Sequence, residues 1–166
     1  PEEIEIIRKN CLLVSATLAE VASHIKPGIT GLRLDEIAEA FIRDHGAEPA
    51  FKGYPGSLSD FPASLCISFN EVIVHGIPDK TEVKEGDVVS VDCGVKMNGY
   101  FGDAAFTFAV GQISPEVLDL LVTTRECLDL AIQQSVAGNR IGDIGYAVQQ
   151  HAEVNHHYGV IREMVG

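Results

Sequence analysis

The sequence predicts an α+β fold made of two similar halves, with the second half incomplete. Three observations lead there. Four stretches repeat apolar residues every three to four positions, as amphipathic helices do. One stretch alternates strictly about an Asn-Gly pair, as a β-hairpin does. The order long helix, short loop, second helix occurs twice in the 166 residues.

Ile4, Ile7, Cys11, Val14, Leu18, Val21 and Ile25 step by threes and fours, predicting a helix of about six turns. Lys26-Pro27-Gly28 stops it. A second helix follows with Leu34, Ile37, Phe41 and Ile42 on one face, ending at His45-Gly46. Residues 47–64 read as a long loop rich in Gly, Pro, Ser and aromatics, a length that in a compact domain points to function. Leu65–Phe69 reads as a strand, and Asn70–Asp79 leads to a turn.

The hairpin spans Asp87–Val110. A type I′ turn at Asn98-Gly99 needs positive φ at both residues and pairs positions whose numbers add to 197. Val89, Val91, Cys93, Val95 and Met97 then share a core face with Tyr100, Ala104, Phe106, Phe108 and Val110. The other face carries Val88, Ser90, Asp92 and Gly94 beside Phe101, Asp103, Ala105 and Thr107. Asp92 and Asp103 become diagonal neighbours, with Cα atoms roughly 7–8 Å apart. Two like charges on a partly buried face need a neutraliser, and a divalent cation is the simplest. Two ordinary surface aspartates on a solvated face remain the alternative at this point.

Ser114-Pro115-Glu116 opens a third helix with an N-cap serine and proline at the first position. Leu118, Leu121, Val122, Leu128 and Ile132 are expected to line its face, and Ala137-Gly138 to end it. A fourth helix carries Ile141, Ile144, Ala147 and Val148, followed by His151, His156, His157 and a strand-like Tyr158–Ile161. The duplication shows in Leu34-Asp35-Glu36-Ile37 against Ile141-Gly142-Asp143-Ile144. Residues 1–111 read as a first half with the acidic hairpin, and 112–166 as the start of a second, within a single truncated domain.

A net charge of −12 argues against direct nucleic-acid or anionic-membrane binding. The four cysteines, Cys11, Cys66, Cys93 and Cys127, form no CxxC and no disulfide framework, which fits a reducing, cytoplasmic setting. No apolar run of about 18 residues suggests a membrane span. The chain opens on Pro1-Glu2-Glu3 with no basic-then-apolar leader, and the missing initiator Met leaves room for residues upstream.

Asn70-Glu-Val-Ile-Val-His75-Gly-Ile-Pro78, Val91-Asp92-Cys-Gly-Val95 and Asn98-Gly-Tyr-Phe-Gly-Asp103 resemble type I methionine aminopeptidases. Phe61-Pro-Ala-Ser-Leu-Cys66-Ile-Ser68 and Val160-Ile-Arg162-Glu163-Met-Val-Gly166 extend the resemblance to essentially the whole chain. The resemblance implies the pita-bread fold and removal of the initiator methionine from nascent proteins whose second residue is small. It implies two divalent ions (Co, Mn, Fe or Zn) held by two Asp, one His and two Glu, with Asp92 and Asp103 as the two Asp. His75 matches the family's catalytic, substrate-side histidine. Phe51, Tyr54, Phe61 and Cys66 fall where the family lines its methionine pocket, and a monovalent cation is expected near the backbone of Asn70 and Val72.

The family's His and Glu ligands follow the Arg-Glu-x-x-Gly run, so residues 1–166 alone are expected to be inactive. His151, His156 and His157 precede that run and read as polar positions around a helix end. Phe101 stands where many members have His, and Phe106 where many have a basic residue. The expected partners are nascent peptides, with ribosome association and a monomeric full-length enzyme. The competing readings are a Xaa-Pro aminopeptidase of the same fold and a binding module that has lost its metals.

Overall fold

A computed structural model describes residues 2–56 and 59–162. Two compact units divide the chain, residues 1–113 and 114–166.

In the first unit, α1 (Glu2–His24) and α2 (Gly31–Asp44) pack beside a four-stranded antiparallel sheet. Its strands are β1 (Glu48–Pro49), β2 (Leu65–Phe69), β3 (Val88–Met97) and β4 (Tyr100–Ala109). β3 is central: β1 and β2 pair along one edge and β4 along the other. Asn98 (φ 56°) and Gly99 (φ 81°) both adopt the left-handed backbone that the tight turn requires. The resulting register sets Val88 opposite Ala109 and Met97 opposite Tyr100, as the sequence predicts.

Val89, Val91, Cys93 and Val95 are fully buried, with Leu34, Ile42, Leu65 and Val21 among their core neighbours. The matching face of β4 departs from expectation. Phe106 is 48% exposed and Ala104 is exposed, while Phe108 is half-buried. Cross-strand pairing puts these residues on the core side, yet β4 is the edge strand and α1 does not cover its whole length. Where α1 does reach β4, contact is very close. A Cβ at Gly102 would stand 2.6 Å from the Asn10 carbonyl carbon, so only glycine lets helix and strand touch.

The buried stripe of α1 is also rotated from the expected one. Ile4 and Ile7 are exposed, as is Cys11, whereas Asn10, Leu13, Val14, Thr17, Leu18 and Val21 are buried. The two polar members satisfy their donors inside: Asn10 Nδ2 donates to the Ile6 and Met97 carbonyls, and Thr17 Oγ1 to that of Leu13. Buried polar groups persist where such partners exist.

Asp35 ties α2 to β2. Its carboxylate accepts from the Ser64 N–H at 2.9 Å and the Leu65 N–H at 2.8 Å. Burial raises its pKa, and those two bonds offset part of the rise. This anchor fixes the end of the long loop just before the strand that carries Cys66.

The second unit contains α3 (Pro115–Gln134), α4 (Ile141–Gln149) and a π-helical turn, Gln150–Asn155. Ser114 caps α3 by accepting from the Val117 N–H, with Pro115 at the first helical position as expected. The apolar face expected on α3 is not its buried face. Leu118, Val122, Leu128 and Ile132 are 48–60% exposed, whereas Thr123 and Cys127 are buried. Periodicity locates an apolar stripe but not what covers it; α3 meets α4 and the π turn through the Thr123–Cys127 side. Tyr158–Ile161 form no strand. The Tyr158 hydroxyl instead donates to Asp119, and Arg162 pairs with Glu153.

Candidate functional site

The acidic face of the hairpin brings together the residues that the sequence marks. Asp92 lies opposite Ala105, and Gly94 opposite Asp103, so the two aspartates are diagonal neighbours on one face. Small side chains surround them, and Ser90 and Thr107 hydrogen-bond across the strands at 2.8 Å. The Asp92 Oδ1 atom is buried and has no hydrogen-bond partner. An unsatisfied buried carboxylate oxygen is costly. Burial first, then the charge of Asp103 and proton sharing with it, push Asp92 up to about 6. His75 and the Cys93 N–H pull the other way. A carboxylate pair in this state is relieved by taking up either a proton or a cation, and its hard oxygen donors suit divalent ions.

His75 sits on the outer side of β2. Its backbone is left-handed (φ 59°), and its ring is exposed. The next residue holds the segment against the strand: the Ile67 N–H donates to the Gly76 carbonyl at 2.8 Å, and the Gly76 N–H donates to Ser68 Oγ at 3.1 Å. A Cβ at Gly76 would come within 2.2 Å of the Ile67 carbonyl oxygen. That glycine lets the segment that carries His75 lie directly against β2.

Cys66 lies directly opposite Asp92 in the ladder. Burial, with Asp92, Asp103 and Asp35 nearby, pushes its thiol up to about 12, and Cys93 likewise to about 12. Both remain neutral thiols, unsuited to act as nucleophiles or thiolate ligands. Phe51 covers Gly94 so closely that a Cβ there would be 2.5 Å from its ring. It therefore lies on the aspartate face. Tyr54 is 69% exposed and Phe61 half-buried. Their loop closes on itself through Gly53 N–H to Phe61 O and Phe61 N–H to Tyr54 O, at 2.8 and 2.9 Å. Residues 57 and 58 of that loop lie outside the described residues.

Asn70 (φ 49°) joins the end of β2 to the start of β3. Its side chain donates to Asp87 and accepts from the Val88 N–H, both at 3.0 Å. Phe101 is exposed with the Lys96 ammonium 5.8 Å from its ring centre, and Phe106 packs on Phe108 at 4.9 Å. Neither aromatic supplies a ligand atom.

Gly76, Gly94 and Asp35 shape this site without having been singled out by sequence. The signal for the glycines was their place on crowded faces, visible only once the register is known. His151 and His156, set aside as polar helix-end positions, come together with Glu126 in the second unit. Glu163 of the terminal motif lies outside the described residues.

Among the described residues, no helix is long and apolar enough to cross a membrane. Methionine aminopeptidase from Clostridium acetobutylicum is 47% identical over 99% of this chain and 64% of its own length. Methionine aminopeptidase 1 of Bacillus subtilis is 45% identical over the whole chain and 65% of its own length. The chain thus spans slightly less than two thirds of these curated relatives. The crystal structure of methionine aminopeptidase from Rickettsia prowazekii superposes with a TM-score of 0.92 at 34% identity, over 98% of this chain and 63% of that one. Prolidase from Pyrococcus furiosus shares the fold at a TM-score of 0.81 and 19% identity, over 93% of this chain and 43% of that one. The expected α+β pita-bread fold is the one these neighbours share. Residues 5–166 match metallopeptidase family M24. With that match running over nearly the whole sequence, the chain belongs to metallopeptidase family M24, and membership implies bound divalent metal ions.

Proposed function

We propose that the protein is a methionine aminopeptidase that removes the N-terminal methionine from nascent chains with a small second residue. The observation that carries the metal chemistry is the buried, partnerless Asp92 Oδ1 beside Asp103. The substrate class rests on relatives at 45–47% identity that are named for it.

In this reading Asp92 and Asp103 hold the divalent ions, with Co, Mn, Fe and Zn all compatible with carboxylate donors. When bound, such ions supply a Lewis acid and an activated water. His75, held beside the pair by the Gly76 contacts, hydrogen-bonds the scissile amide and steadies charge developing there. Phe51, Tyr54, Phe61 and Cys66 receive the methionine side chain. An aromatic surface beside a neutral thiol suits a flexible, polarisable thioether. A monovalent cation near Asn70 and Val72 would rest on main-chain carbonyl groups, since the Asn70 amide is already engaged.

The helix pair of residues 112–166 opens a second half that repeats the helix order of 1–111. The same reading places the enzyme in the cytoplasm, working as a monomer on chains emerging from the ribosome.

The test is hydrolysis by the protein as its gene encodes it, supplied with each divalent ion in turn. Methionine release from a Met-Ala peptide, with an Ala-Pro peptide left intact, supports the proposal. The reverse preference would favour a Xaa-Pro peptidase of the same fold. No hydrolysis of either peptide with any ion would favour a binding module.

A further inference from the structure

We propose that Glu126, His151 and His156 form a second cation site, taking one late first-row divalent ion of the zinc, nickel or copper class. One ligand atom from each residue lies within 4.8 Å of the other two. A tetrahedral ion with bonds of about 2.0–2.1 Å spaces its ligand atoms by roughly 3.3 Å. Small side-chain rotations close the difference.

The π-helical turn is what makes this constellation. In an α-helix, residues five apart point about 140° away from each other. Here the His156 N–H donates to the His151 carbonyl at 3.2 Å, an i→i+5 bond. It brings the two rings onto one side, with centroids 4.6 Å apart. Such π turns inside helices are frequently functional. α3 supplies the carboxylate, with Glu126 Oε2 2.8 Å from His151 Nε2.

The surrounding groups hold the donors in place. Thr123 Oγ1 lies 3.3 Å from His156 Nδ1 and is nearly fully buried, so it orients that ring as an outer-shell partner does. Glu153 is already engaged by Gln149 and Arg162, so it braces the turn rather than joining the donors. The His151 side chain is 17% exposed and that of Glu126 49%, leaving solvent a way in. A plain ion pair needs only Glu126 and His151. The convergence of a second imidazole is what a borderline metal with nitrogen preference uses.

The first experiment starts from the chain carrying Asp92→Asn and Asp103→Asn, which silences the hairpin. Calorimetric titration with Zn²⁺ should show one equivalent bound. Adding His151→Gln and His156→Gln should weaken that binding at least tenfold. Absence of the equivalent in the first variant, or unchanged affinity in the second, overturns the proposal. A second measurement avoids substitutions. In the unsubstituted chain, Zn²⁺ should shift the ring NMR signals of His151 and His156. Shifts confined to His24, His45, His75 or His157 overturn it equally.

Discussion

The aspartates of the hairpin and the histidines of the π turn are both groups of metal-competent donors, and they rest in opposite states. Asp92 and Asp103 sit on a ladder whose register is fixed by ten paired positions. One of their oxygens is buried without a partner, and the pair repels itself. In the π turn, His151 has Glu126 and His156 has Thr123 as hydrogen-bond partners. The first group is held in an unfavourable arrangement by a rigid frame; the second is satisfied as it stands. A preorganised, frustrated site suits chemistry, because the frame rather than the ligand carries the cost of assembling it. A satisfied site suits reversible binding, since each ion must first displace an existing contact.

The largest effect that separates the two is on catalysis. If the proposed assignment holds, Asp103→Asn in the gene-encoded protein should lower kcat/KM for a Met-Ala peptide by on the order of 10³ or more, because it removes a charged oxygen from the pair proposed to hold the ions. Retention of activity within tenfold would show that the hairpin is not the reacting centre.

The next effect tests the frame itself. Gly94→Ala places a methyl group 2.5 Å from the Phe51 ring, and Gly102→Ala places one 2.6 Å from α1 backbone. Phe51 can swing away, whereas a helix backbone cannot. Gly102→Ala should therefore cost about 2–3 kcal/mol by urea denaturation, and Gly94→Ala about 1 kcal/mol. Equal costs would mean that the hairpin face is as tightly packed as the core face.

This contrast also shows what the sequence could reveal. The Asn98-Gly99 turn and the alternation around it fix the register, and the register puts Asp92 and Asp103 on one face. That inference needs only period two and two positive φ angles. Burial along β4 was less legible: Phe106 shares a face with Val91, but no periodicity says where α1 ends its cover. Asn10 and Thr17 were missed in the core because their internal hydrogen bonds are invisible in an apolar pattern. The paired histidines were hidden for a different reason. A 3.6-residue period assigns His151 and His156 to different faces, and only the π turn joins them.

Asp92 offers a smaller effect whose sign is diagnostic. Its folded pKa of about 6 lies above the ordinary aspartate value of 3.8, so the folded chain binds that proton more tightly than the unfolded chain. The contribution is full below pH 4 and is lost as pH rises through 6. Asp92→Asn lacks this loss. In chelated, metal-free buffer the variant should gain stability relative to the parent between pH 4 and pH 7. The gain should be about 1–2 kcal/mol, the ~3 kcal/mol of a rise from 3.8 to about 6 reduced for solvent screening. Parallel stability curves for the two proteins would mean that Asp92 is not strained by its surroundings.

Glu126→Gln should have the smallest effect and so completes the comparison. Without metal, the lost contact with His151 is a partly exposed pair, worth about 0–1 kcal/mol, and it leaves no buried charge behind. Chemical denaturation in chelator should place the variant within that range at pH 7, where Asp92→Asn is stabilising. With Zn²⁺ present the order changes in a way that only a binding site produces. The parent should gain Tm as free ion rises, since whatever binds the folded state alone stabilises it. The Glu126→Gln chain, left with two imidazoles, should gain less at every concentration. If the two chains gained equally, the carboxylate would be a hydrogen-bond partner of His151 and nothing more.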